Sequence, residues 1–401
     1  MLSLNLPFTG AFFTLDDPVR GLLDGTYTLS GDVPVDVSQY VQSVAITRGR
    51  ADELSEFSTG VATIRFFNMD RRFDAEYTAG PYFGNIKKGK LVQVLAGTGD
   101  VEFTGTVDDW AYEYDVSGLS IAVCTVVDGL ANLAGLQFTA WTATAGDTTD
   151  ARINAVLNRP EVAYPSSRSL DVGNSTFQAD TIAASTPVLP YIQLVVRAEL
   201  GRFFASVLNL LTFRSRFYVS THLPATVAIT DQGSQTIAGV QRSSPKQMVR
   251  NEVTVSRLSG ATQVSTDTGS VGSYGIIPLQ LLNLPLADDT QASSLADFLV
   301  GVYGQPQTRF SSVRVIMGLL SDVVRSQISS LDLGSPVSVS FTPNGVGSPV
   351  ALPCVVEGIS VDHHPAWHEL TLLLSIAQQA TVFILDDPTV GVLDGPGLLA
   401  F

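Results

Sequence analysis

This chain is poor in cysteine and short of positive charge. Only 2 of its 401 residues are cysteine, Cys124 and Cys354, which excludes a disulfide framework. Both stand in apolar, strand-like runs and are expected as small core residues. Charged residues make up 15% of the chain, lean for a free enzyme and suited to a protein that buries surface against neighbours. Lys and Arg number 23 against 38 Asp and Glu, a formal net charge of −15. A nucleic-acid grip needs clustered Lys and Arg, so the balance argues against one. No apolar run reaches the roughly 18 to 20 residues of a membrane helix, because Arg197, Glu199, Arg202 and Arg214 interrupt the most apolar segment. The opening MLSLNLPFTG has no basic n-region and no cleavage site, so no signal peptide is expected.

Recognisable catalytic chemistry is missing as well. No Gly-x-Ser-x-Gly elbow precedes a helix. His222 stands alone. His363, His364 and His368 lie close to Asp362 and Glu369, and His364 and His368 are four apart, a spacing that on a helix can hold zinc. Pro365 falls between them and their flanks alternate as strands, so the expectation is a surface hairpin and no metal. Asp108 and Asp109 are adjacent carboxylates. Neighbours on a strand point to opposite faces, which speaks against a glycosidase pair. Trp110, Trp141 and Trp367 are too scattered to suggest a sugar-binding groove. No catalytic residue and no cofactor is expected.

What is there is β-pattern and repetition. Apolar residues make up 45%, and the length allows two or three domains. Residues 46–74, ITRGRADELSEFSTGVATIRFFNMDRRFD, are the organising stretch. They read as an Arg-Gly-Arg turn, an acidic segment, a half-buried strand and a second turn. In the strand, Val61, Thr63 and Arg65 alternate with Ala62, Ile64 and Phe66. Short strands with turn signals recur at 91–95, 103–108 and 120–127. Residues 139–190 have weaker periodicity and one short helix carrying Ile153, Val156 and Leu157. Residues 189–204 offer Ile192, Val195, Val196 and Leu200 at helical spacing with Gly201 as the stop. A strand at 211–214 follows. The β-pattern returns at Asn251, residues 267–275 read as a polar loop, and a helix is expected over 290–302 with Asp289 or Thr290 as its N-cap. Strands around 313–317, 337–341, 354–360 and 369–375 close the chain.

Two repeats stand out. FTLDDPVRGLLDG, residues 13–25, returns as FILDDPTVGVLDG, residues 383–395, with nine of thirteen positions identical. Asp-Pro and Asp-Gly form turns. The copies read either as two equivalent hairpins or as two docking arms that add to a neighbouring ring. Asp16, Asp17 and Asp24, with Asp386, Asp387 and Asp394, are not spaced as an EF-hand loop. The second repeat is looser. Gly89, Leu91, Val92 and Val94 followed by Gly105, Val107 and Asp108 are matched by Gly334, Pro336, Val337 and Val339 followed by Gly358, Val361 and Asp362. It suggests two related β-barrels.

The 46–74 stretch resembles the signature of a family of phage minor tail proteins, of the tail-hub or baseplate-hub type known from phages of actinobacteria. The matching parts are the Thr-Arg-Gly-Arg turn at 47–50, the Gly-x-Ala-Thr strand at 60–63, and Asn-x-Asp-Arg-x-Phe-Asp at 68–74. The family often has Pro next, where this chain has Ala75. Its helix ending Glu-x-Gly before a strand ending in Arg is matched by Glu199, Gly201 and Arg214 or Arg216. A buried Glu199 paired with an arginine is expected there. The resemblance covers about 36–375.

It implies a mainly β (α+β) chain: two tube-like β-barrel domains (36–135 and 246–375), an inserted α+β region (136–245), and extended terminal arms (1–35 and 376–401). It implies a structural, non-enzymatic virion protein, a homotrimeric hub at the tail tip joining a six-fold tail tube to a three-fold tip. DNA would only pass through, which an acidic wall permits. Partners would be the distal tail ring, the tape measure protein and other minor tail proteins. Arg48, Arg50, Asp70, Arg71 and Arg72 are the candidates for fixing turns and for ion pairs between subunits, or are merely solvated. A hexameric distal tail ring protein and a receptor- or sugar-binding tip protein are the alternatives.

Overall fold

The computed structural model describes residues 3–8, 33–97, 99–164, 168–223, 225, 227–232, 237–244 and 246–377. Both copies of the acidic repeat, 13–25 and 383–395, lie outside the described residues, and with them Asp16, Asp17, Asp24, Asp386, Asp387 and Asp394. The chain is mainly β, 41% strand and 22% helix, an α+β class.

One large sheet carries the architecture. Among the described residues it has 13 strands, and eleven of them run in a single path. In spatial order they are Gly239–Ser243, Arg309–Ile316, Trp367–Ile376, Val350–His364, Val41–Gly49, Ser58–Phe67, Ser120–Val127, Val101–Tyr114, Leu91–Leu95, Ser3–Phe8 and Val33–Asp36. Pro336–Phe341 branches off Val350–His364, and Ala228–Thr230 extends that branch.

Within this sheet the same five-strand unit occurs twice. In the first, Val41–Gly49 pairs Ser58–Phe67, which pairs Ser120–Val127, then Val101–Tyr114, then Leu91–Leu95. In the second, Gly239–Ser243 pairs Arg309–Ile316, then Trp367–Ile376, Val350–His364 and Pro336–Phe341. Every pairing is antiparallel and the order of strands is the same. The agreement reaches single hydrogen bonds. Gly89 and Gly334 both have positive φ (76° and 78°), and each donates its N–H across 2.7 Å, to Val107 O and Val356 O respectively. Each long strand then bulges one residue later, at Asp108 in the first unit and Glu357 in the second. A β-bulge inserts one residue and bends its strand. The loose sequence repeat is therefore a structural one, but its second half is out of register. The bulges match Asp108 with Glu357, whereas the sequence matched Gly105 with Gly358.

The expected closed barrels are not seen; the sheet among the described residues is open. The strand Val350–His364 changes partner at its Glu357 bulge. Before it, Val350–His364 pairs with Pro336–Phe341; beyond it, the same edge of the strand pairs with Val41–Gly49, from Gly358 opposite Gly49 to His363 opposite Val44. This seam joins the second unit to the first. The apolar core is correspondingly shared, with Val44, Ile64 and Val126 beside Phe310, Val337 and Leu374. Cys124 and Cys354 are both within it.

A second core holds most of the rest. The helices Thr149–Leu157, Val188–Glu199 and Asp289–Tyr303 pack there with three small sheets. It runs from Leu130 to Tyr303, past the expected 245/246 boundary, because Ala292, Leu295, Ala296 and Leu299 lie against Val253 and Val255. The N-cap of that last helix is Asp288, whose carboxylate accepts the Gln291 N–H at 2.9 Å. Residues expected as a polar loop form the helix Thr268–Tyr274, capped by Asp267. The helix Val188–Glu199 ends on Leu200, which takes the left-handed conformation (φ 59°). Gly201 serves a different purpose, since a Cβ there would lie 2.5 Å from the Phe213 ring.

Candidate functional site

The seam is built from the sequence signature, residue by residue. Ala62, Ile64 and Phe66 are fully buried along Ser58–Phe67, as their alternation requires. The Arg-Gly-Arg segment is the end of the strand Val41–Gly49 rather than a free turn. Gly49 (φ 101°) lies so close to the opposite strand that a Cβ would meet Glu357 O at 2.3 Å. That contact lets the Arg50 N–H reach Glu357 O at 2.8 Å.

The two arginines then reach inward. Arg48 is buried; its Nη2 donates to Asp332 Oδ1 at 2.7 Å and to Ala205 O at 2.9 Å. Arg50 Nε donates to Glu357 Oε2 at 2.7 Å, and Arg202 Nη2 to Glu357 Oε1 at 2.9 Å. Ser375 Oγ adds a 2.6 Å bond to the same oxygen. Glu357 is 1% exposed. Burial alone would raise its pKa, but the two guanidiniums prevail and hold it down at about 2. Nearby, Arg309 pairs with Glu53, both side chains being buried. Both signature arginines thus bond within their own chain, across the seam.

The second turn stays local. Asn68, fully buried, accepts the Phe73 N–H at 2.9 Å, and Phe73 stacks on Phe66 with centroids 4.4 Å apart. Arg71 (φ 59°) bonds Asp74 at 2.7 Å. Arg72 bonds Asp70 through Nε at 2.9 Å and lies 3.7 Å over the Tyr40 ring. Asp70 and Arg71 have half-exposed side chains, so this turn presents its ion pairs to the surface.

Another buried carboxylate has no direct ion pair among the described residues, Arg48 acting on it only through space. Asp128 accepts N–H groups from Gly60 (2.7 Å) and Leu130 (3.0 Å), and its burial pushes its pKa up to about 6. Nor does Glu199 have a direct ion pair among the described residues. It accepts from Thr149 Oγ1 and from the N–H groups of Asn174 (3.0 Å) and Ser175 (3.3 Å), with its pKa raised by burial. Arg214 bonds Asp171 instead, at 2.8 Å.

Between the seam and the second core lies a cavity of about 310 Å³. Arg50, Arg197, Arg202 and Arg216 reach it, as do Glu53 and Glu56, with Phe57 and Phe298 among its apolar walls. The histidines are elsewhere. His368 Nε2 lies 3.0 Å from Glu102 Oε1, and the rings of His363 and His368 meet edge to face. Burial, with His368 beside it, pulls His363 down to about 4. Among the described residues no cluster of His, Cys, Asp or Glu is arranged to hold a metal ion. The cysteine thiols are poor nucleophiles, since burial pushes Cys354 up to about 12 and Cys124 higher. Sequence reasoning missed Glu357, Arg202 and Asp332. Glu357 left one signal, a lone charge inside the apolar run PCVVEGIS.

No protein-family model matches the chain, and no curated protein matches it. Solved structures do. The 43 kDa tail protein of prophage MuSo2 from Shewanella oneidensis superposes with a TM-score of 0.57 at 15% identity, over 94% of this chain and 98% of that one. The tail protein from Neisseria meningitidis MC58 gives 0.59 at 10% identity, over 93% and 96%. The Escherichia coli c3393 protein gives 0.50 at 7% identity, over 84% and 73%; it is a component of the type VI secretion system with structural similarity to the T4 tail proteins gp27 and gp5. This chain has the fold of phage tail proteins. At these identities the likeness is one of fold alone.

Proposed function

We propose that the chain is a non-enzymatic structural protein of a phage tail, acting as a trimeric hub at the tail tip. The observation that carries this reading is the duplicated five-strand unit with one seam inside the chain. The second half of Val350–His364 is covered by Val41–Gly49. The corresponding half of Val101–Tyr114 has no strand on that edge among the described residues, and neither does the outer edge of Gly239–Ser243. Joining those two edges between copies repeats the internal seam. It also removes two open edges that would otherwise invite uncontrolled pairing. Such a head-to-tail contact forms a ring when the rotation closes.

The register comes from the matched bulges. The seam pair Asp362–Ala45 corresponds to Glu113 of one copy opposite Gln241 of the next. Exposed Asp108 and Asp109 on one edge would then face a strand bearing exposed Arg242. Three chains would present six units, a match between a six-fold tube and a three-fold tip. A hexamer of this chain would present twelve, which disfavours the distal-ring reading. The Asp70–Arg72 turn would contact an adjoining layer, with the distal tail ring and tape measure protein as neighbours and DNA in passage. The two acidic repeats would act as docking arms. Electron-microscopic averages and the mass of the purified assembly test this. A three-fold ring of three times 42.6 kDa is expected; a monomer at micromolar concentration would contradict it.

A further inference from the structure

The cavity beside the seam has an excess of positive charge in a chain whose net charge is −15. Four arginines line it, Arg50, Arg197, Arg202 and Arg216, against two glutamates, Glu53 and Glu56; behind the wall Arg309 pairs with Glu53, Glu357 with Arg50 and Arg202, and Glu199 acts on Arg216. Glu53 and Glu56 are each taken by one arginine. Glu357 serves two. Among the described residues Arg216 is left with Glu199 acting only through space, and Glu199 spends its bonds on Thr149 and two backbone amides. The Nε atoms of Arg202 and Arg216 are both buried without a hydrogen-bond partner among the described residues. A buried donor without a partner is costly, so such a site favours an acceptor. The Arg216 guanidinium lies 5.5 Å from the centre of the Phe298 ring, so its surroundings are part apolar.

The chain itself leads to this place. The last large strand, Trp367–Ile376, ends with Ser375 and Ile376 in the cavity wall, and Ala377 packs on Val219 and Val355, which also line it. Six residues further on begins Phe383-Ile384-Leu385-Asp386-Asp387. Six residues span at most about 20 Å, enough to turn back across the opening. That segment brings an aromatic ring, two aliphatic side chains and two carboxylates. The cavity offers apolar walls, an arginine that meets no carboxylate directly among the described residues, and about 310 Å³, within the usual range for a ligand pocket.

We infer that this cavity is the seat of the chain's own C-terminal acidic repeat, with an Asp386 or Asp387 carboxylate on Arg216 and the apolar residues against Phe57 and Phe298. The burial that lowers the pKa of Arg216 would be offset by that carboxylate. The free chain would thus hold one docking arm at home until assembly draws it away. The cavity belongs to one chain, so the inference stands or falls apart from the ring.

Hydrogen exchange on the full chain, read by mass spectrometry, tests it. Amides of residues 383–387 should exchange at least tenfold slower than in the free peptide, independent of protein concentration. Asp386→Asn with Asp387→Asn should remove that protection, and so should Arg216→Gln in a chain that melts as the wild type does. Asp16→Asn with Asp17→Asn should leave it intact. The double asparagine variant alters no described residue, so it remains informative if Arg216→Gln does not fold. Peptide-like exchange in the wild type would overturn the inference. So would protection that survives the Asp386 and Asp387 changes, protection lost with the Asp16 and Asp17 changes, or protection lost on dilution, which would mean that a second copy supplies the segment.

Discussion

The two five-strand units are built to one plan, yet their bulges look opposite. Glu357 is buried and bound by Arg50, Arg202 and Ser375. Asp108, its counterpart, is exposed, beside an Asp109 that pairs with an exposed Lys88. The glycine contacts and the bulge are common to both. What differs is whether another strand has arrived. In the second unit the strand Val41–Gly49 fills the edge and brings Arg50 with it. In the first unit no strand fills it among the described residues. The lesson is that a charged bulge is a connector, and only its filled state is a stability element.

Substitutions should separate the two bulges by their size of effect. Glu357→Gln leaves two buried guanidiniums without their carboxylate and should cost about 3–5 kcal/mol in chemical denaturation. Acid should act on the same group. Its carboxyl titrates at about 2 in the folded chain against 4.5 for an ordinary glutamate. Its contribution, about 3 kcal/mol, is therefore complete above pH 4.5 and lost as pH falls towards 2. Urea midpoints measured across that window should fall for the wild type and lose most of this slope in Glu357→Gln. Gly49→Ala, at φ 101° and 2.3 Å from Glu357 O, should cost about 3 kcal/mol by thermal melting. Gly89→Ala, with positive φ but open space around it, should cost only about 1 kcal/mol. Asp108→Asn should shift the stability of the isolated chain by less than about 0.5 kcal/mol while weakening its self-association. A loss as large as that of Glu357→Gln would end the contrast.

Much of the plan is legible in the sequence. The alternation of Val61 to Phe66, the Asn68–Asp74 turn and the Gly89/Gly334 correspondence are local patterns, and each element arises from its own residues. What is not legible depends on distant partners. Arg48 and Arg50 look like surface charges because Asp332 and Glu357 lie about three hundred residues away in the chain. The helix Asp289–Tyr303 shows in its own periodicity, but the core it joins is set by Val253 and Val255 rather than by its own face. The loose repeat slips register because the sequence aligns glycines, whereas the structure keeps the bulges.

Oxidative cross-linking of the double variant Glu113→Cys, Gln241→Cys bears most directly on the ring. Residues directly opposite on antiparallel strands have Cβ atoms about 4.5–5.5 Å apart, close enough for a disulfide after small adjustment. The native cysteines are buried and should not react. A ladder of covalent dimer and trimer, ending at trimer and absent from either single variant, is the predicted result. A product that stays monomeric, or one that extends past trimer into open polymers, would contradict a closed ring of three.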